Sequence, residues 1–178
     1  MKLKESISEC TRCRLHKTRT NSVPGEGPYD AQVVFIGEGP GKKEDQEGRP
    51  FVGRAGELLN DLLSTADLSR EKVFITNVVK CRPPGNRDPR KDEKEACEVY
   101  LIQQLDMIKP KVVCTLGNHA TAYFLGSAGI SKKHGMVFKK NGLTIVPLYH
   151  PAAALYNPNL KTAMEEDFRF LGSMLRRK

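Results

Sequence analysis

The amino-acid sequence predicts an α/β fold, a three-layer α/β/α sandwich around a central four-stranded parallel sheet. Three observations carry that expectation. Four short apolar runs, near residues 33–36, 72–79, 111–116 and 143–148, are rich in β-branched residues and too short for helices, so they read as strands buried on both faces. Between and after them lie segments with apolar residues at helical spacing, and strands that alternate with helices join in parallel through crossovers. Finally, Gly37-Glu38, Asn77, Gly117-Asn118 and Tyr149-His150 follow or close the four runs, which gathers polar groups at one edge of the sheet. In such sheets the carboxyl ends of the strands are where ligands bind.

Taken in order, residues 5–16 are expected to form a short helix or turn carrying Cys10 and Cys13, and the Gly- and Pro-rich segment 21–30 a loop. The first strand runs into Gly37-Glu38-Gly39-Pro40-Gly41, where three glycines allow a sharp turn and close approach of a ligand. The acids and lysines of 42–47 read as exposed. Ala55, Leu58, Leu59, Leu62 and Leu63 form a helical stripe over 54–63. A long loop after the second strand contains three Arg and one Lys, at Arg82, Arg87, Arg90 and Lys91. Asp92 opens a helix that Pro110 ends, with Ala96, Val99, Tyr100, Ile102, Leu105 and Met107 at its apolar positions. Further helices are expected over 119–125 and 160–176.

The composition bounds the class of protein. At 178 residues the chain is expected to be a single domain, 1–178, with a core that needs no disulfide staples. No apolar run approaches the length of a membrane span, and the polar start is unlike a signal peptide, so no membrane partner and a cytoplasmic location are expected. Cysteines there are reduced, which favours metal or cluster binding over disulfides. The net charge of +8 suits a polyanionic partner such as nucleic acid.

The glycine-rich loop matches neither common phosphate-binding pattern. Gly41-Lys42 is followed by Lys43 where a phosphate loop needs Ser or Thr, and the third glycine of a dinucleotide fingerprint would fall at Lys42. Cys10-x2-Cys13 joins Cys81 and Cys97 as a candidate four-thiolate centre. Spacing alone leaves zinc and an iron-sulfur cluster equally supported. Cys114, inside an apolar strand, reads as a buried small hydrophobe.

The combination of GEGPG, EGRPFVGRAGELL, TNVVKCRPP, HPAA and the four spaced cysteines resembles the family-4 uracil-DNA glycosylases, the iron-sulfur branch of the uracil-DNA glycosylase superfamily. The resemblance spans nearly the whole chain. It implies hydrolysis of the N-glycosidic bond of deoxyuridine in DNA, a uracil pocket of Gly39, Phe51, Asn77 and His150, and catalysis by Glu38 and His150. It also implies a structural 4Fe-4S cluster on Cys10, Cys13, Cys81 and Cys97, and no catalytic metal. Arg82, Arg87, Arg90 and Lys91 become candidates for DNA phosphates, and Leu155 or Tyr156 for a wedge entering the base stack. Uracil-containing DNA is the partner implied and a monomer is expected; a sliding-clamp or other repair partner is not readable. Superfamily members often carry Asp or Asn where this chain has Gly39, which leaves Glu38 open as base, water holder or shaping residue, with Glu44 and Asp45 in reserve. The alternatives are a uracil-DNA-binding module with little turnover and an iron-sulfur electron carrier.

Overall fold

The structure is a computed structural model that describes residues 2–127 and 129–177. Its strands are β1 (Val33–Gly37), β2 (Phe74–Asn77), β3 (Val112–Leu116), β4 (Phe138–Lys140) and β5 (Leu143–Leu148). The helices are α1 (Lys2–Ser8), α2 (Lys42–Glu47), α3 (Arg54–Thr65), α4 (Lys91–Ile108), α5 (Gly117–Leu125), α6 (Ile130–Lys133), α7 (Pro151–Tyr156) and α8 (Leu160–Arg176). The strand order is β2-β1-β3-β5-β4. Four strands are parallel, as expected, while β4 adds a fifth that runs antiparallel to β5.

Successive residues of each parallel strand enter opposite cores. Val33, Phe35, Ile75, Cys114 and Val146 pack with α3 and α8 on one face, and Phe35 stacks on Phe168 with centroids 5.8 Å apart. Val34, Ile36, Phe74 and Val113 pack with Leu101 and Ile108 of α4 and Ala120 of α5 on the other. Both faces of each strand are therefore dry, which is why the runs are continuously apolar. A smaller cluster of Leu3, Ile7, Val79, Cys97 and Tyr100 seats α1 on α4 beside the cysteines.

Two features depart from the sequence-based expectation. The strand β4 is half-buried to exposed and carries two lysines, so it has no apolar run to announce it. Its hairpin turn is Asn141-Gly142, both at positive φ, the dipeptide that a two-residue turn between twisted strands requires. The segment 42–47 is a helix rather than an exposed loop, and Asp45 is buried in it, accepting the backbone N–H groups of Thr20 (2.9 Å) and Asn21 (3.3 Å). Hydrophobic periodicity cannot reveal a buried carboxylate of this kind.

Pro147 sits in the interior of β5, where its missing N–H would ordinarily break a ladder. Its carbonyl accepts Gly135 N–H at 2.9 Å, beyond the end of β4, so the prolyl nitrogen faces a side where no strand continues. Among the described residues no helix is long and apolar enough to cross a membrane.

The packing of α8 depends on Gly172, where an added Cβ would lie 2.6 Å from the Ala66 carbonyl oxygen. Backbone cannot yield as a side chain can. Gly172→Ala is expected to lower stability by roughly 1–3 kcal/mol in urea unfolding, and an unchanged midpoint would show that α8 can move away from α3.

Candidate active site

The four parallel strands end at one edge, and the residues that follow them surround a cavity of ≈ 360 Å³. Glu38, Gly39, Phe51, Asn77 and His150 all line it, together with Glu44, Asn86, Arg87 and Ala152. The candidate pocket residues taken from separate motifs are thus brought together in space.

Asn77 closes β2 opposite Gly37 of β1 and is 2% exposed. Among the described residues its side-chain amide makes no protein hydrogen bond, and its polar atoms are not among the buried unpartnered ones, so they are open to the cavity that the residue lines. The register requires glycine beside it: a Cβ on Gly37 would lie 2.5 Å from Asn77 Oδ1 and 2.9 Å from the Phe51 ring.

Phe51 is held in a left-handed conformation, φ 50°, which is uncommon for a bulky residue and persists only where neighbours determine it. They do so here. Glu44 Oε1 accepts the N–H groups of Val52 (3.0 Å) and Gly53 (3.2 Å), and Arg70 donates to the carbonyls of Phe51 (3.0 Å) and Pro50. Gly56 clears the space, since a Cβ there would lie 1.9 Å from the Phe51 carbonyl oxygen. Glu44, held in reserve as a catalytic acid, thus has a positioning duty. Arg70 carried no sequence signal beyond its charge.

His150 is the N-cap of α7, and its Nδ1 accepts the Ala152 N–H at 3.1 Å. An accepting Nδ1 leaves the ring proton on Nε2. Burial pushes the imidazole pKa down to about 4, with nearby Glu44 opposing, so the neutral Nε2–H form prevails at neutral pH. The ring lies 5.6 Å from that of Phe51, and Gly117 at φ 88° makes room for it, its would-be Cβ being 3.0 Å from His150 Cβ.

Glu38 meets a partner from the start of α5. His119 Nδ1 lies 2.8 Å from Glu38 Oε2, and its Nε2 lies 3.4 Å from Asp88. The contact with Glu38 lacks hydrogen-bond alignment, so Oε2 is a buried oxygen without a hydrogen-bond donor among the described residues. Burial raises the Glu38 pKa; His119 and Lys94 oppose that shift and Asp88 adds to it. The signal for His119 was its position, directly after the Gly117-Asn118 turn at the same sheet edge. Asn118 itself caps α6, accepting the N–H groups of Gly129 and Ile130.

The basic loop divides into two kinds of residue. Arg87 grips the fully buried Glu93 with both terminal nitrogens, at 2.6 and 2.8 Å, and Glu93 also takes the Arg90 N–H at 2.8 Å. Its guanidinium is therefore committed to anchoring the loop on α4. The backbone of Arg90 and Lys91 starts α4 with both residues exposed, and Arg82 donates to Asn86 at 2.7 Å at the surface.

Cys10, Cys13, Cys81 and Cys97 line a second, largely apolar cavity with Ile7, Leu15, Val79, Ala96 and Tyr100, whereas Cys114 is fully buried in β3. Donors already point at the sulfurs: Arg12 N–H at 3.4 Å from Cys10, Arg19 at 3.1 Å from Cys81 and Lys80 N–H at 3.3 Å from Cys97. Burial pushes the Cys97 thiol up to about 11 and raises Cys13 and Cys81, so thiolates here need a positive centre among them. Among the described residues no three of these sulfurs lie within 4.8 Å of one another. A single tetrahedral zinc, with Zn–S of about 2.3 Å, would draw them to about 3.8 Å. Four thiols on one cavity form a donor set that suits either a zinc ion or an iron-sulfur cluster.

A folded-state pKa of about 4 for His150 has a consequence for stability. The neutral ring's contribution is complete above the unfolded pKa near 6.5 and is lost as pH falls through about 4. Parental protein should lose stability between pH 6.5 and 4 more steeply than His150→Gln, measured by denaturant unfolding across that window. Parallel curves would contradict the burial of a neutral imidazole.

Comparison with known proteins places the chain in a family. The sequence model of the uracil DNA glycosylase superfamily matches residues 24–171. The chain is 51% identical over 178 residues to a type-4 uracil-DNA glycosylase of Sulfurisphaera tokodaii, covering 94% of this chain and 81% of the relative. It is 49% identical to the type-4 uracil-DNA glycosylase of Saccharolobus solfataricus, covering 93% and 81%. To that of Archaeoglobus fulgidus it is 45% identical, covering 97% and 91%. With a superfamily match across the sheet and such identity over nearly the full chain, the protein belongs to the type-4 uracil-DNA glycosylases of the uracil DNA glycosylase superfamily.

Proposed function

We propose that this protein is a monofunctional DNA glycosylase that hydrolyses the N-glycosidic bond of deoxyuridine in DNA, releasing uracil and leaving an abasic site. One observation carries the reading. A side-chain amide at Asn77 that no protein group engages and an imidazole at His150 whose proton sits on Nε2 face the same cavity, beside the ring of Phe51.

The chemistry follows from those groups. The target nucleotide leaves the base stack to reach the cavity. There the Asn77 carbonyl oxygen accepts from the uracil imide N–H, its amide nitrogen donates to the adjacent carbonyl, and Phe51 stacks on the ring. Cytosine presents the reverse pattern at that edge. As the C1′–N1 bond breaks, its electron pair passes into the uracil ring, and His150 Nε2–H donates to the carbonyl where charge collects. A donor aimed at developing charge in this way typically supplies about 3 kcal/mol. Water then adds to C1′, and the proton it gives up passes by way of solvent to the uracil anion, which leaves as neutral uracil. Glu38, set beside His119 at the rim, is the group assigned to hold that water or to stabilise the cation-like sugar.

Exposed Arg90 and Lys91, with Arg82, are assigned to DNA phosphates, and Arg87 to holding their loop. Leu155 and Tyr156 project from the end of α7, and Tyr156 is 90% exposed. His150 caps the same helix, so a wedge at that end and the donor at its start move as one piece. Cys10, Cys13, Cys81 and Cys97 are assigned to a 4Fe-4S cluster. When bound, the cluster supplies an iron-sulfur core that cross-links the N-terminal segment to the basic loop.

The decisive measurement is single-turnover release of free uracil from uracil-containing DNA in the presence of chelator. His150→Ala is expected to slow it roughly 10²-fold or more with little change in DNA affinity. Asn77→Asp should cut uracil removal and shift the uracil-to-cytosine ratio towards cytosine, because a carboxylate presents only acceptors. Tight binding to uracil-containing DNA without release would make the protein a reader of uracil and not an enzyme.

For the thiol site, protein purified without oxygen should contain iron and labile sulfide at about four each per chain. Cys81→Ser should lose the brown colour and Cys114→Ser should keep it. Stoichiometric zinc without sulfide would overturn the assignment.

A further inference from the structure

Lys80 is a buried lysine that the reaction described above does not use. It is 1% exposed, and its Nζ donates to Thr76 Oγ1 (2.6 Å), the Asn77 backbone carbonyl (2.7 Å) and Gln104 Oε1 (2.7 Å). The acceptors are themselves held: Thr76 Oγ1 (3.0 Å) and Gln104 Nε2 (2.6 Å) both donate to the Pro24 carbonyl. Three acceptors thus converge on Nζ, one for each hydrogen of an ammonium. None of the three is a carboxylate.

The location explains why such a group is needed. Val78 N–H bonds to Gly37 of β1, so the carbonyl of Asn77, in the same peptide unit, points away from β1 at the outer edge of the sheet. That edge is covered by an antiparallel bridge in which Glu26 and Ile75 exchange both backbone hydrogen bonds. Pro24, two residues before the bridge, turns its carbonyl to Thr76 and Gln104, and proline has no N–H to give. The Lys80 ammonium takes the place of that missing donor. At its other end the Lys80 N–H donates to Cys97 Sγ and its carbonyl accepts Val23 N–H at 2.7 Å, so the residue spans the gap between the thiol-lined cavity and the end of β2.

We propose that Lys80 is a positioning residue for base recognition, fixing the backbone of Asn77 so that its side-chain amide meets the uracil edge in one orientation. An apolar side chain of similar volume would avoid desolvating a charge and would leave the three acceptors without this donor. What a methionine cannot do is hold a backbone carbonyl at the last residue of an edge strand. The inference rests on the assignment of Asn77 as base reader.

The test is a double-mutant cycle of Lys80→Met with Asn77→Ala, read as the single-turnover rate of uracil release, with iron content and melting temperature measured on each variant. Lys80→Met is expected to slow release about 10-fold while retaining iron and a cooperative unfolding transition, and to slow it less than threefold further in the Asn77→Ala background. The same cycle with Gln104→Leu, which removes one acceptor of the ammonium and leaves the sulfur side intact, should show the same pattern in smaller size; it decides the matter should Lys80→Met fail to fold or lose iron. Losses of equal size in both backgrounds would overturn the inference, as would an unchanged rate in the folded variant. If Asn77→Ala releases uracil at the parental rate, the base-reading assignment falls and the positioning of Lys80 falls with it.

Discussion

The parallel register of β2, β1, β3 and β5 is the constraint on which the rest depends. Each helical crossover returns the chain to the same side of the sheet, so four strands that share no sequence motif discharge their next residues at one rim. Glu38, Asn77, the Gly117–His119 turn and His150 come from parts of the chain more than a hundred residues apart, and hydrogen-bond register alone makes them neighbours. The site is precise because the sheet is rigid. None of these groups needs a flexible loop to deliver it.

Space at that rim is cleared by backbone rather than by side-chain choice. Gly37, Gly56 and Gly117 each stand where a single methyl group would strike Asn77, Phe51 or His150. The polar groups in between are held by others out of contact with the base: Glu44 and Arg70 fix the unusual backbone of Phe51, and the first turn of α7 fixes the tautomer of His150. A second layer of this kind is what keeps catalytic side chains within tolerance. The two cavities share a strand end and the loop after it, since residues 79–81 border the thiols and Asn77 the base.

Much of this was legible in the sequence, and the exceptions have physical causes. Buried parallel strands announce themselves as continuous β-branched runs, and the rim residues were readable because a polar residue ending such a run has nowhere to go but the sheet edge. The strand β4 escaped notice because half its side chains face solvent, leaving Asn141-Gly142 as its trace. Buried polar residues were the consistent blind spot. Asp45, Glu93 and Lys80 look like solvated charges in any one-dimensional reading, since burial follows from partners distant in the chain: Thr20, Arg87 and Gln104. Likewise Arg87 read as one more cation in a basic loop, and only its grip on Glu93 separates it from Arg90. The closeness of His119 to Glu38 depends on strand order, which composition does not encode.

The two margins of the sheet close it in different ways. Outside β2, the segment bearing Pro24 and Glu26 lies along the strand and occupies its outward groups, with a prolyl nitrogen that cannot extend a ladder. At the opposite side β4 is three residues long and presents Lys139 and Lys140 beside a tight turn. Short length, lysine and proline are the devices by which natural sheets refuse a stranger's strand. A protein so finished can be concentrated along a polyanion, many copies side by side, without its sheets fusing edge to edge.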